Sequence, residues 1–300
     1  MGASATAEQA LRRRGTTLFL LTVAYFFSYM DRQILAILQE DIRRDLLLTD
    51  TQLGLLAGLA FAIFYATLGL PVARLADRGN RVTIISIALA LWSAMTAVCG
   101  LAQNFVQLLL ARIGVGIGEA GSSPPSHSII ADLYPPERRA GAMGIYSLGV
   151  VLGAAGGTMI GGALAHYFGW RTAMFAVGIP GVLLAIVIKL LVIEPPRGLS
   201  DPGKAQGAGD MPPFAAGFRS LFANRAAVHL VMGVTVTSLI GYGTTAFGPS
   251  FMIRTMGMDK LQIATVVAPG GGLCGSLSAV LGGWLANKAA VRFGLHAQSW

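Results

Sequence analysis

The sequence predicts an all-α, polytopic membrane protein, and three observations carry that expectation. Of its 300 residues, 54% are hydrophobic and only 12% charged, where the surface of a soluble domain draws on about 25% charged residues. Apolar runs recur at the length that a helix rising 1.5 Å per residue needs to cross a hydrocarbon core of about 30 Å, roughly 20 residues. Basic residues gather in the gaps between these runs, and their abundance alternates from one gap to the next.

The apolar runs give eight candidate spans, at 16–38, 51–73, 82–102, 106–130, 141–165, 171–193, 227–250 and 262–286. Arg12, Arg13 and Arg14 ahead of the first span resemble the charged start of a signal peptide. No small-residue cleavage pattern closes that run and further spans follow, so a retained first helix is expected. With the N-terminus in the cytoplasm, fifteen Lys and Arg fall in inside segments and five outside: Arg43, Arg44, Arg171, Arg254 and Lys260. This satisfies the positive-inside rule and predicts a multi-pass protein of the cell membrane, a bacterial inner membrane in particular. The net charge of +8 therefore reads as orientation rather than nucleic-acid binding. Cys99 and Cys274 both lie in apolar runs without a CxxC partner or a His cluster, so neither a disulfide framework nor a metal site is expected.

Residues 194–226 break the pattern with a cluster of Pro and Gly and mixed charge, the composition of a linker. The expected organisation is an N-terminal six-helix bundle at 1–193, a cytoplasmic linker at 194–226, and the first two helices of an incomplete second bundle at 227–300. A faint repeat supports it. Leu75-Ala76-Asp77-Arg78 resembles Leu285-Ala286-Asn287-Lys288 at an offset of 210 positions. Two six-helix halves at that offset need roughly 420 residues, so the chain reads as a partial one of about eight spans, with a natural eight-helix protein as the alternative.

Four charged residues interrupt the apolar runs. Asp31 and Arg32 lie in the first span, and Arg112 and Glu119 in the fourth. An isolated charge at the centre of a membrane helix costs at least ~2.5 kcal/mol. These four sum to zero, and mutual pairing lowers that cost. Residues seven apart share one helix face to within about 20° and lie about 10 Å apart along the axis. Arg112 and Glu119 therefore face the same way, with Ser122, Ser123 and Ser126 continuing their face. Tyr25, Ser28 and Tyr29 accompany Asp31. Both pairs fall near one level of the bilayer if the two spans run in opposite directions. A purely structural ion-pair staple is the alternative to a working role. His127 and His229, each near the end of a span, are weaker proton carriers. The hydroxyls Thr235, Thr237, Ser238, Tyr242, Thr244 and Thr245 either line a cavity or bond their own backbone.

Motifs add a resemblance. The loop after the second span contains Asp77-Arg78-Gly79-Asn80-Arg81, which resembles the Asp-Arg-x-Gly-Arg signature of the major facilitator superfamily with Asn80 in place of Gly. Asn tolerates left-handed backbone, so a tight turn is expected there. Arg112 resembles the basic signature of the family's fourth helix. Gly149, Gly153, Gly157 and Gly161, each four apart, form a small-residue packing stripe; it resembles the antiporter signature of the fifth helix without that signature's Pro. Gly169-Trp170-Arg171 is also similar to a common superfamily feature. Tyr29-Met30-Asp31-Arg32, the loop variant and the run around Gly118-Glu119-Ala120 together look like the Spinster branch, which is linked to sphingosine phosphates and lysophospholipids in animals.

The resemblance implies the major facilitator fold of two six-helix bundles. It implies that Asp77, Arg78 and Arg81 form a conformational latch, with Arg78 or Arg81 meeting Asp132 or Glu137. The expected function is proton-coupled secondary transport by alternating access of an amphipathic or anionic lipid-like substrate. Asp31 and Glu119 would carry protons, and Arg32, Arg112, Tyr25 and Ser122 would pair with them or bind substrate. A transporter of another organic anion or a drug remains an alternative, as does a nontransporting receptor or scaffold. An enzyme is not expected: no HExxH, GxSxG or phosphate-cradling loop is present. The expected partners are a small-molecule or lipid substrate, protons and the bilayer, with no cofactor, no nucleic acid and a monomeric state.

Overall fold

Apolar runs of this length satisfy their own backbone only as helices when they lie in lipid, and helices are what form. A computed structural model describes residues 2–200 and 222–275, with 277 and 281. The order is α1 Gly2–Arg12, α2 Arg14–Leu46, α3 Asp50–Gly54, α4 Ala60–Arg78, α5 Arg81–Cys99, α6 Phe105–Glu119, α7 Ser123–Leu133, α8 Pro136–Leu191, α9 Arg225–Met256 and α10 Lys260–Gln262. Wide π-turns at Leu55–Leu59 and Ile263–Val267 continue α3 into α4 and extend α10. The stretch Leu285-Ala286-Asn287-Lys288, most of the linker and the end of the eighth span lie outside the described residues.

Four helical stretches among the described residues are long and apolar enough to cross a membrane: Asp50–Arg78, Arg81–Cys99, Pro136–Leu191 and Ala227–Met256. Their outward faces carry exposed Ile63, Ile87, Leu148 and Leu183, the reverse of a water-soluble surface. The 56 residues of α8 would be more than 80 Å long if straight. Gly169, at φ 83 and ψ 162, breaks the helix where only Gly adopts such backbone easily. The two arms of α8 are thus the expected fifth and sixth spans.

The end at which α2 begins is here called the near end, and the end at which it finishes the far end. The stripe of Gly on α8 sets the central contact. A Cβ at Gly149 would meet Thr22 O at 2.8 Å, at Gly157 Met30 O at 2.6 Å, and at Gly161 Ile34 Cγ1 at 2.6 Å. Both helices advance by four residues together, so they run parallel with backbones nearly touching. Gly118 brings α6 equally close to α5, where a Cβ would lie 2.7 Å from Trp92 N.

Two departures from the sequence reading matter for the site. The span at 106–130 is not one helix. Residues 120–122 form tightened turns, with Gly121 N donating to Gly118 O and Ser122 N to Glu119 O. Pro124 and Pro125 have no N–H to continue the earlier ladder and suit the first turn of α7 instead. Asn80 does not form a left-handed turn. Its φ is −79, and its side chain accepts from Thr83 N to cap α5.

Candidate functional site

Two apolar clusters fill the bundle. One, toward the near end, includes Leu21, Ala24, Leu89, Trp92 and Tyr146. The other, toward the far end, includes Ile34, Ile37, Leu53, Leu108 and Trp170. Asp31, Arg112 and Glu119 are buried at the junction of the two clusters, and the structure brings all four interior charges together there. The Arg32 Nε and Nη2 donate to Glu119 Oε2 at 2.8 and 2.6 Å. Ser28 Oγ donates to the same oxygen at 3.1 Å. Arg112 Nη1 stands 3.6 Å from Asp31 Oδ1, close enough for attraction but beyond a normal hydrogen bond. The pairing is crossed: each helix sends its Arg to the other's carboxylate. Thr96, on α5, reaches Asp31 Oδ2 at 2.7 Å.

The satisfaction of the two carboxyls differs. Glu119 Oε2 takes three donors, while Glu119 Oε1, Asp31 Oδ1 and Arg112 Nε have no hydrogen-bond partner. Buried polar atoms are rarely left this way. The layer is held together by charge, with hydrogen-bonding capacity in reserve.

Aromatic rings surround Arg32. Its guanidinium lies 5.0 Å from the Tyr29 ring, 4.8 Å from Phe61 and 5.1 Å from Tyr65, within cation–π range. Its Nη1 donates to Tyr242 Oη on α9 at 3.3 Å. Tyr25 stacks on Tyr146 at 4.3 Å and meets Tyr29 edge-on at 5.2 Å. His127 touches the edge of Tyr146 at 5.3 Å, so a continuous file of rings runs from Arg32 toward the near end. Ser122 is buried with an unpartnered hydroxyl. His229 is exposed on α9. Thr235, Thr237 and Thr244 bond their own helix carbonyls.

At the near end Arg81 is fully buried. It pairs with Asp132, and donates to Glu194 Oε1 at 2.6 Å, Ser128 Oγ at 2.8 Å and Pro195 O at 2.7 Å. Glu194 Oε2 also accepts from Val82 N at 2.9 Å, placing a carboxylate at the positive end of α5. Arg197 donates to Ala76 O in the last turn of α4 and to Gly79 O just beyond it. Asp77 and Arg78 are exposed beside this knot, and Glu137 is exposed too.

At the far end α9 and α10 are tied to α2 and α3. Arg254 Nε donates to Glu40 Oε1 at 2.6 Å, and its Nη1 and Nη2 to Asp50 at 3.1 and 2.8 Å. Lys260 Nζ donates to Asp41 Oδ2 at 2.6 Å, and Ser250 Oγ to Gln39 Oε1 at 3.2 Å. Arg43 holds Glu40 from its own helix at 3.3 Å. Arg171 pairs with Asp45 and donates to Ala102 O, while Trp170 Nε1 donates to the same Asp45 carboxylate. The hydrogen bonds from Arg254 and Arg171 hold the Asp50 and Asp45 carboxyls below the usual carboxylate range. In contrast, α9 from Leu230 to Thr245 is exposed. Among the described residues these ties of α9 and α10 to α2 and α3 lie at the far end.

Tyr242, one of the hydroxyls that the sequence offered as cavity-lining, reaches Arg32, whereas Thr96, Phe61, Tyr65, Glu194, Glu40 and Arg254 were not singled out from the sequence as site residues. Each is an ordinary residue for its position, and only Arg254 carried a weak signal, as one of the five basic residues on the sparse side. Among the described residues no group of three or more His, Cys, Asp or Glu could hold a metal ion.

Comparison with known proteins agrees with this architecture. The Major Facilitator Superfamily model matches residues 21–297. An MFS-type efflux pump of Mycolicibacterium smegmatis is 34% identical over 94% of this chain and 64% of its own length. A probable L-galactonate transporter of Escherichia coli is 28% identical over 86% of this chain and 58% of its own. The crystal structure of a bacterial homolog of the human lysosomal transporter Spinster, inward-facing and unoccupied, superposes with a TM-score of 0.82 at 38% identity. It covers 93% of this chain and 64% of that one. The chain thus spans less than two thirds of the length of these relatives.

Proposed function

The chain belongs to the Major Facilitator Superfamily, and from that premise we propose that it is a proton-coupled secondary transporter working by alternating access, with an anionic, amphipathic substrate. The single observation that carries the proposal is the buried layer of two Arg and two carboxylates, open on one side to the face shared with α9 through Arg32. A static staple needs every member satisfied to offset the cost of burying charge. This layer leaves Asp31 Oδ1, Glu119 Oε1 and Arg112 Nε unpartnered, which suits groups that exchange partners.

In this reading the near end faces the cytoplasm, which the distribution of basic residues supports, and the far-end ties are the ones that close the outer side. Protonating a carboxyl of the layer weakens its hold on the opposing Arg. Arg32, ringed by Tyr29, Phe61 and Tyr65, then takes an anionic head group while the file of rings takes the apolar part. Asp77 and Arg78 remain exposed to serve the latch, and Arg81 anchors the loop that carries them.

Flux in proteoliposomes under an imposed pH gradient tests this. The probes are a lysophospholipid, a sugar acid, which the name of the L-galactonate transporter suggests, and a cationic drug, for the alternative read from the sequence. Proton-linked flux of the lysophospholipid is expected, with loss in Asp31→Asn and in Glu119→Gln. Proton-linked flux of the sugar acid or drug alone would replace the substrate class. Flux with full proton dependence in both variants, or no flux with any probe, would overturn the mechanism and favour a receptor or scaffold.

A further inference from the structure

We propose that Thr96 is a positioning residue that lets Asp31 take up and release a proton in place, by redirecting its single hydroxyl hydrogen between two acceptors. This rests on the reading of Asp31 as a proton carrier and adds a component that the motifs do not contain.

The geometry is specific. Thr96 Oγ1 lies 2.7 Å from Asp31 Oδ2 and 3.0 Å from Trp92 O, its own helix carbonyl four residues back. One hydroxyl hydrogen cannot serve both oxygens at full strength. Back-bonding alone is an ordinary habit of helix hydroxyls, and Thr22, Thr67 and Thr158 show it here. A buried carboxyl at the second acceptor position is what sets Thr96 apart from those three.

Two hydrogen arrangements fit the same heavy atoms. With Asp31 ionised, Thr96 donates to Oδ2 and Trp92 O keeps its helix bond. When a proton from water binds Oδ2, the new acid O–H donates to Thr96 Oγ1, and the Thr96 hydrogen turns to Trp92 O. Release to water reverses both movements. Neither the Thr96 hydroxyl nor the Asp31 acid O–H is left unpaired in either state, and α2 stays tied to α5 throughout. The hydroxyl matters because Asp31 has little else: its Oδ1 has no hydrogen bond and Arg112 stands off at 3.6 Å. The Trp92 turn is also the one against which α6 packs at Gly118, next to Glu119. The charged and titratable groups facing Asp31 are Arg32 on its own helix, Arg112 and Glu119 on α6, and Cys99 on α5. All stay in place when Thr96 alone is changed.

Infrared difference titration of the whole chain in lipid nanodiscs tests this without any substrate. The carboxylic-acid carbonyl band lost in Asp31→Asn identifies the Asp31 signal. Thr96→Val keeps the shape and removes the hydroxyl. A hydrogen bond to an ionised group is about twice as strong as one between neutral groups. The Asp31 midpoint in Thr96→Val should therefore rise by about one pH unit, tenfold in proton affinity, and the band should move as the acid O–H loses its acceptor. Thr96→Ser should restore midpoint and band, and Thr96→Ala should repeat the effect of Val if Val folds poorly. An Asp31 band that titrates alike in wild type and Thr96→Val, or a Ser variant that shifts as Val does, overturns the role of Thr96 alone. Absence of any Asp31 band between pH 4 and 10 overturns the underlying proton-carrier reading, and this proposal with it.

Discussion

The interior charge layer and the far-end ion pairs use the same chemistry, Arg against Asp or Glu, in opposite surroundings. Inside, Arg32 and Glu119 have side chains 14% and 0% exposed. At the far end, Arg254 and Asp50 are 35% and 63% exposed. Charges in a low-dielectric interior attract strongly but lose their water, so each member depends on its partner. Exposed pairs contribute little singly and are screened by salt. In the proposed mechanism the interior layer transmits one protonation, and the far end, closed through several weak ties, opens when they part together. Glu40 shows how parting is eased: it is buried, yet Arg43 of its own helix remains beside it when Arg254 leaves.

The largest contrast is expected from Glu119→Leu, which strands Arg32 in the interior. Removing one partner of a buried pair costs about 3–5 kcal/mol, readable as loss of thermal stability in detergent. Adding Arg32→Leu should recover most of it, because an apolar pair of similar volume is often neutral. A Glu119→Leu protein as stable as wild type would erase the distinction between the two regions.

Within the interior, Asp31→Asn and Glu119→Gln should differ. Glu119 accepts three hydrogen bonds at one oxygen, and Asp31 accepts one. Charge-assisted bonds contribute about 1.5–3 kcal/mol each, so Glu119→Gln should be the more destabilising by at least about 1.5 kcal/mol in the same melt. Equal costs would mean that the hydrogen-bond inventory does not describe the layer.

A smaller effect is expected from Arg254→Ala. Spin-label distances between the far ends of α2 and α9 should lengthen in part of the population, with little loss of stability. Raising salt to 1 M, where the screening length is about 3 Å, should move wild type toward the same distribution. The interior variants should hardly respond to salt.

The smallest effect is a null response to pH. The Asp45 and Asp50 carboxyls are held below their ordinary range by Arg171 and Arg254. A lowered folded pKa gives stability that is present above the unfolded value, near 3.9, and is lost only as pH falls through the still lower folded value. Between pH 5 and 8 these two ties should therefore be constant. If Asp50→Asn abolishes a pH response of the far-end distance in that window, the assignment of proton sensing to the interior fails.

Much of this was determined by the sequence alone. The helical character and order of the described spans follow from apolar runs that cannot leave backbone groups unpaired in lipid, although the break of the fourth span at 120–122 does not. The gathering of Asp31, Arg32, Arg112 and Glu119 follows from the cost of charge in oil and from a balance that lets four charges cancel. The stripe from Gly149 to Gly161 announces a close helix contact because nothing else leaves room for it. Only the tertiary structure decided which Arg serves which carboxylate, that Thr96 stands between Asp31 and its own helix, that Asn80 caps a helix rather than turning one, and that Arg254 closes the far end against Glu40 and Asp50. These depend on where helices far apart in the chain touch. A hydrogen bond is settled within a few tenths of an ångström, a precision that residue spacing along one helix does not carry.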